Sequence, residues 1–224
     1  MDKNKLYLLG NNQASPLVDF TDGLTMADWT ENNKIILGNN AGYLIYNLTD
    51  NTSQAFAFNK SAGNTQVQDV AIFTNNLYVL DTNNSQIFKY PGRGQAFSNG
   101  QTWLKENIDL SNAASFTIDG DIYLINNSGQ ISKLRAGYKE VFNYHQPYPA
   151  LGAKATIKTF ANSNYLYMID PDNQRVIILD KEGTIKDQYT SPKFDQLADL
   201  AINADESGIY LLNGSRVYLL AINK

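Results

Sequence analysis

The chain has 224 residues, of which 43% are hydrophobic and only 18% are charged, and its formal net charge is −4. This composition is typical of a globular chain with a packed core, and the negative charge argues against a nucleic-acid partner, which needs a basic surface. Because cysteine is absent, a disulfide framework, a thiolate metal site and a cysteine nucleophile are excluded.

A short apolar motif centred on tyrosine recurs along the chain at nearly constant spacing. It appears at 77–80, 122–125, 166–169 and 209–212, and a degenerate copy without tyrosine lies at 35–37. The steps between successive tyrosines are 45, 44 and 43 residues. A period of this size indicates one supersecondary unit copied along the chain, and four short strands per unit predict a β-propeller blade.

The sequence therefore predicts an all-β fold, a single five-bladed β-propeller of four-stranded blades over residues 1–224. The blades are expected at about 24–62, 63–110, 111–150, 151–193 and 194–224. In chain order, the expected strands are 24–29, 34–37, 43–48 and 54–58; 67–73, 77–81, 86–90 and 102–106; 114–118, 121–125, 130–134 and 139–144; 156–161, 165–170, 175–180 and 184–189; and 197–203, 208–212 and 216–222. The connections are rich in Asn, Asp and Gly, which favour tight turns. No long segment has helical periodicity, so essentially no helix is expected.

The last predicted blade has only three strands, whereas about 20 N-terminal residues precede the first blade. An N-terminal strand, either 5–9 or 16–20, is expected to complete blade five and close the ring, because closure removes the exposed sheet edges. The pattern at 5–9 favours a strand more strongly, while 16–20 lies at the better distance from blade one. The alternative is a parent protein with six or more blades.

The turn after the tyrosine strand has the same residue order in segments 77–87 and 166–176. In each, the strand ends in Asp, the turn carries Asn, and Gln86 or Arg175 opens the next strand. This order resembles the NHL and related six-bladed-type propeller repeats. The chain is also similar to propeller regions of uncharacterised bacterial proteins, some of which are fused to a phosphatase-like domain. The resemblance implies blade geometry and specifies no ligand, because this fold supports many functions.

Five residues on the inner strands are the main candidates for a binding site. Counting back from the tyrosine strand by 8 to 11 residues places Asp28, Asp69, Ser115, Lys158 and Asp199 at equivalent positions around the central channel. Three carboxylates that converge with one ammonium could hold a cation, a sugar or a peptide amine. The alternative is a solvated channel in which the lysine offsets the repulsion among the aspartates.

The same aspartates are the only candidates for glycoside hydrolysis, which needs two carboxyl groups with one kept protonated. Asp28, Asp69 and Asp199 could supply them, but no Glu lies on an inner strand. The sequence therefore predicts no catalytic residues and no enzyme activity, with a glycoside-acting enzyme as the less favoured alternative.

The connection 143–149 is the most unusual loop in the chain. His145, the single histidine, lies there between Tyr144 and Tyr148, and one histidine cannot form a His-rich metal site. Two prolines and the tyrosines could make a stiff amphipathic platform that contacts a sugar or a peptide. The alternative is a connection that packs over blade three.

The expected function is non-catalytic binding or scaffolding, in a domain of a larger extracytoplasmic bacterial protein. Its partner is expected to be a protein, a peptide or a glycan, and the domain to be a monomer without metal or cofactor. A lectin with one site per blade is the alternative within binding. No stretch approaches the roughly 18 apolar residues of a membrane span, so no span is expected.

Overall fold

The computed structural model describes residues 5–10, 13–19, 26–30, 33–39, 42–58, 66–94 and 96–222. These residues form antiparallel sheets arranged as the five blades of a β-propeller, and their one helical element is a single 3₁₀ turn, Pro171–Asn173. The prediction of an all-β, five-bladed propeller is confirmed. Within the described ranges, no helix is both long and apolar enough to cross a membrane.

Each blade is a meander of short strands that follow one another in the chain. Strands β1 (Lys5–Gly10) and β2 (Gln13–Asp19) precede the blades. Blade one contains β3 (Met26–Thr30), β4 (Lys34–Asn39), β5 (Gly42–Asn47) and β6 (Thr52–Ala57). Blade two contains β7 (Val67–Phe73), β8 (Asn76–Asp81), β9 (Gln86–Arg93), β10 (Ala96–Phe97) and β11 (Gln101–Thr102).

The remaining blades repeat this order. Blade three contains β12 (Ala113–Ile118), β13 (Ile122–Asn126), β14 (Ile131–Arg135) and β15 (Tyr138–Glu140). Blade four contains β16 (Thr156–Lys158), β17 (Tyr165–Asp170), β18 (Arg175–Asp180) and β19 (Ile185–Thr190). Blade five contains β20 (Leu197–Ile202), β21 (Gly208–Asn213) and β22 (Arg216–Ala221).

The outer strands of blades two and three are shorter than predicted. The expected strand 102–106 reduces to Gln101–Thr102, and 139–144 reduces to Tyr138–Glu140. Beyond β11 the chain turns toward the next blade, where the amide of Lys105 donates to the carbonyl oxygen of Gly137 at 2.9 Å. A backbone bond to the neighbouring blade therefore replaces the ladder within the blade.

The two N-terminal segments, one of which was expected to pair with blade five, pair with one another. β1 and β2 form an antiparallel hairpin that is a sheet of its own, and β20–β21–β22 is a three-stranded sheet. In the described part of the chain, the expected strand pairing between the N-terminus and blade five is thus not found.

Apolar packing joins neighbouring blades face to face. Four buried clusters lie between blades one and two, two and three, three and four, and four and five. The tyrosine motif supplies both faces: in blade two, Leu77 packs toward blade one and Tyr78 toward blade three. The tyrosines Tyr78, Tyr123, Tyr167 and Tyr210 all lie on the second strand of a blade, as their spacing predicts.

The aspartate that ends the tyrosine strand is fully buried and organises the turn that follows. In blade two, Asp81 accepts hydrogen bonds from the backbone of Gln66 and Asn84. In blade four, Asp170 accepts from the amide of Gly152 at 3.1 Å and from Nε of Arg175 at 2.8 Å. The repeated order of Asp, Asn and Gln or Arg therefore encodes a buried polar turn.

Arg175 ties this turn to the loop from the preceding blade. Its side chain is 1% exposed, pairs with Asp170, and donates from Nη2 to the carbonyl oxygens of Pro149 and Ala150 at 2.5 and 3.3 Å. Removing the guanidinium would leave a buried carboxylate and two carbonyls without this donor, which is more costly than the loss of an exposed pair.

We expect Arg175→Met to lower the free energy of unfolding by about 3–5 kcal/mol. The matched control is Lys154→Met in the same blade, where the ammonium is 77% exposed and lies 3.6 Å from Asp172. That change should leave stability nearly unaltered. Urea unfolding followed by fluorescence gives both values, and similar midpoints for the two variants would contradict the structural role of Arg175.

Candidate functional site

The first strands of the blades line the centre of the propeller. Strand β7 lies beside β3 and β12, and β16 lies beside β12 and β20. This arrangement follows from the meander, because the first strand of each sheet is the one at the axis. Side chains of these strands therefore meet those of the neighbouring blades, and the candidate site is built from them.

Two of the predicted aspartates bond to the inner strand of the next blade. Oδ2 of Asp28 accepts a hydrogen bond from the amide of Ile72 at 2.5 Å. Oδ2 of Asp69 accepts from the amide of Phe116 at 3.0 Å. Each carboxylate thus satisfies a backbone donor that faces a neighbouring blade, which is a structural role in addition to any role in binding.

Blades three and four are joined at the axis in the same way by uncharged groups. The hydroxyl of Thr117 accepts from the amide of Thr159 at 2.8 Å and donates to its carbonyl oxygen at 3.2 Å. Sequence reasoning missed this pair, because threonine in a strand carries no signal that separates a bridging role from ordinary β propensity.

The five predicted channel residues do not lie at one level. Asp69, Ser115 and Asp199 pair across the strand with residues two beyond the motif tyrosine, at Leu80, Ile125 and Leu212. We call this level the upper tier. A β-bulge precedes each of the three residues, and its extra residue shifts the register of the strand.

Lys158 and Asp28 lie at a lower tier. Lys158 is directly opposite Tyr167, and Asp28 is opposite Ile36, which packs toward the next blade as the tyrosines do. Two strand residues correspond to roughly 6.6 Å. The prediction of five equivalent positions is therefore wrong in this respect. Blade four shows no register shift in this strand, and its upper-tier residue is Thr156, opposite Ile169.

Thr156 is the site residue that the spacing argument overlooked. Its hydroxyl oxygen is buried and has no hydrogen-bond partner within the described residues. The upper tier thus consists of oxygen-bearing side chains from four successive blades, Asp69, Ser115, Thr156 and Asp199. Aligning the blades on the apolar residue just before each site, with a gap for the bulge, points to Thr156; these apolar residues are Val67, Ala113, Ala155 and Leu197.

Charges are coupled across the two tiers. Burial lowers the pKa of the Lys158 ammonium, but attraction to three aspartates outweighs burial, so that pKa is raised overall. In decreasing strength, these aspartates are Asp199, Asp69 and Asp28. The structure therefore brings the predicted charged residues within electrostatic reach of one another, although they differ in level.

Asp69 is a carboxyl group of the site whose pKa is raised. Burial raises its pKa, and the Lys158 ammonium and hydrogen bonds from Phe116 and Val70 oppose that rise. Asp199 is exposed, and its Oδ1 accepts a hydrogen bond from the amide of Leu200 at 2.9 Å. Three carboxylates around one ammonium leave the site with excess negative charge. In the described ranges, no three His, Cys, Asp or Glu side chains are grouped to hold a metal ion.

The loop proposed as a platform presents only part of the predicted surface. Tyr148 is 94% exposed and His145 is exposed. Tyr144 is partly buried, since its hydroxyl donates to the carbonyl oxygen of Gly129 at 2.5 Å and its ring stacks on Phe142. Tyr144 therefore fastens the loop to blade three, and the contact surface reduces to the other two side chains.

A groove of about 920 Å³ lies away from the channel, between the outer edges of blades two and three. Glu106, Asp109, Glu140 and Phe142 are among its lining residues. No spacing or motif in the sequence associates these positions, because the groove depends on how the chain leaves β11 for the next blade.

No family model and no curated protein matches the chain. Solved structures do match, and they show the fold. A gluconolactonase from Xanthomonas campestris has a TM-score of 0.68 at 11% identity over 93% of this chain and 75% of its own. Virginiamycin B lyase from Staphylococcus aureus has a TM-score of 0.58 at 14% identity, over 90% of this chain and 71% of its own. Nidogen, in its complex with laminin, has a TM-score of 0.59 at 13% identity, over 82% of this chain and 70% of its own.

The chain spans 52% of a Bacteroides thetaiotaomicron protein of unknown function, which it matches over 85% of its own length with 11% identity and a TM-score of 0.65. These neighbours are β-propeller proteins, and membership of the NHL repeat family stays a prediction. The expectation that the chain is not an enzyme is corrected, because a lyase and a gluconolactonase share its fold. The propeller fold alone does not exclude catalysis.

We expect Lys158→Met to destabilise the fold at pH 7.5 by about 1–3 kcal/mol, because the upper-tier carboxylates lose a compensating charge. Asp69 already has a raised pKa, so its ionisation costs stability as pH rises. The loss should therefore shrink as pH falls toward 4 and the aspartates take up protons.

Because the pKa of Lys158 is raised in the folded state, its charge stabilises the fold fully below the ordinary lysine pKa of about 10.4. The stability difference between the parent and Lys158→Met should therefore persist across neutral pH. The control is Lys186→Met, where the ammonium is 48% exposed and 4.0 Å from Asp180. Urea midpoints at pH 7.5 and 4.5 measure both effects. A variant that unfolds like the parent from pH 5 to 8 would show that the cluster is merely solvated.

Proposed function

We propose that the chain is a binding propeller that recognises an ammonium group of a peptide at its central channel. The observation that carries this proposal is the excess of carboxylates. Asp28, Asp69 and Asp199 lie on the inner strands within electrostatic reach of a single lysine. An additional cation relieves the repulsion that remains among them. A lysine side chain or a chain terminus provides such a cation on a flexible stem that can enter a channel.

Asp199 is the residue best placed to meet a ligand. It is exposed on the inner strand of blade five, whereas Asp28 and Asp69 accept backbone hydrogen bonds from the next blade. An exposed carboxylate loses less hydration on pairing than a buried one. The hydroxyl groups of Ser115 and Thr156 lie in the same tier, and a hydroxyl oxygen can accept a hydrogen bond from an ammonium group.

The comparisons support binding to a protein without identifying one. Nidogen was solved in a complex with laminin, so a propeller of this shape can dock another protein. The peptide here is proposed on the charge of the channel, and the excess negative charge also steers a cationic segment toward it.

Acid–base catalysis at the channel is the second candidate, favoured by the raised pKa of Asp69. A carboxyl group that stays protonated nearer neutral pH can act as a general acid. Both Asp69 oxygens accept backbone hydrogen bonds, which is why this candidate ranks second. Hydrolysis of 4-nitrophenyl glycosides that is lost in folded Asp69→Asn would favour it over binding alone.

We expect tetralysine to bind with a dissociation constant below 1 mM, and Asp199→Asn to weaken binding about tenfold, as the loss of one charged contact does. Calorimetry at 50 and 200 mM salt measures this. Asp187→Asn is the matched control, because Asp187 is exposed on the outer strand β19 and the charge change is the same. Equal losses in the two variants would indicate attraction by net charge alone and overturn the site.

Tetra-(N-acetyl-lysine) tests whether the ammonium is the recognised group, and it should not bind. A chitosan tetramer carries the same group on a glycan. If it binds through Asp199 while tetralysine does not, the lectin alternative replaces the peptide.

A further inference from the structure

One face of blade five presents a continuous apolar surface. Ala201, Tyr210 and Leu219 are direct cross-strand neighbours, and Leu212 pairs with Val217 two residues along. We call these five residues the blade-five strip. Tyr210, Val217 and Leu219 are 46%, 41% and 60% exposed. Exposed apolar side chains that are contiguous on a sheet mark an interaction surface more often than scattered ones do.

The equivalent face is buried in the preceding blades. Tyr78, Tyr123 and Tyr167 occupy the position of Tyr210 and are 4%, 2% and 1% exposed, because each packs on the next blade in the chain. The opposite face of blade five is packed on blade four through Ile209 and Leu211. The strip is thus on the face of blade five that, in the preceding blades, packs on the next blade in the chain.

Blade one is covered on the side where blade five would lie. Ile36, Tyr43 and Ile45 pack toward blade two. Leu37 follows Ile36 and Tyr46 follows Ile45, so both side chains point to the opposite face of the sheet. They are nevertheless only 3% and 2% exposed. A surface other than the strip therefore covers blade one, since the strip is itself exposed.

The N-terminal hairpin has the sequence of a blade. Residues 6–9 read Leu-Tyr-Leu-Leu, which matches the tyrosine motif at 77–80 and 209–212. The next residues extend the match, because Leu-Gly-Asn-Asn at 9–12 recurs at 37–40 in blade one. β1 and β2 then pair as an antiparallel hairpin, as the second and third strands of every blade do.

We propose that β1 and β2 are the middle strands of a sixth unit, and that in solution this unit closes face to face on the blade-five strip, which is exposed in the structure that holds the hairpin. The hairpin reaches blade one directly, since six residues separate Asp19 from Met26. This inference goes beyond the five blades and rests on observations other than the proposed ligand. Because Asp199 lies opposite Leu212 of the strip, docking of the hairpin competes with a ligand at Asp199. It differs from edge pairing with β22, because face-to-face docking requires the strip and no backbone ladder.

Hydrogen exchange of peptides that span residues 5–19 tests the proposal in the full chain. Leu219→Asp places a charge in the strip, and the hairpin amides should exchange at least about tenfold faster as docking is lost. Leu219→Ser is a milder variant that should show a smaller change in the same peptides. The control is Val141→Asp in blade three, at a side chain that is 86% exposed.

Unchanged exchange in the hairpin of both folded Leu219 variants would overturn the proposal. Sedimentation on the same samples identifies the competing occupant. If the parent is a dimer and Leu219→Asp is a monomer with unaltered hairpin exchange, the strip binds a second copy of the chain instead. Faster exchange that is equal in the Val141→Asp control would also count against docking, because it would reflect general destabilisation.

Discussion

Face-to-face packing between successive sheets is the interaction on which the rest of this structure depends. A single blade has two apolar faces and cannot bury either alone. Side chains alternate along each second strand, so that one set packs on the preceding blade and the other on the following blade, as Leu77 and Tyr78 do. The tyrosine period is therefore the sequence record of this packing, and the ring geometry follows from it.

The same packing creates the polar centre. Bringing the first strands side by side leaves backbone donors facing the neighbouring blade, where they need acceptors. Asp28 and Asp69 meet this need, and Thr117 does so between blades three and four. The carboxylates proposed to attract a cation are thus also structural, so the proposed binding depends on the integrity of the ring.

The sequence predicted the fold where local turn chemistry and periodicity agree. Strands 67–73, 165–170 and 175–180 have their predicted bounds, because Asp, Asn and Pro mark the turns and β-branched residues fill the strands. Predictions failed where contacts with another strand or blade determine the local structure. The bulge before Asp69 and the bond from Lys105 to Gly137 depend on contacts with other strands, and single-residue spacing does not reveal them. Tyr144 was misjudged for the same reason, since its partner Gly129 belongs to another turn.

The hydrogen bonds at the axis also bear on how the molecule opens. Asp28, Asp69 and Thr117 each connect one blade only to the one that follows, so cooperativity spreads along a line of nearest neighbours. In such a system, local unfolding begins at the ends of the line and fades toward its middle. Blades two, three and four are each packed on two neighbours, whereas blades one and five each share one of the described apolar clusters, so local fluctuations should be largest in the two terminal blades. The ligand site proposed at Asp199 therefore lies on a terminal blade, where local opening costs the least free energy.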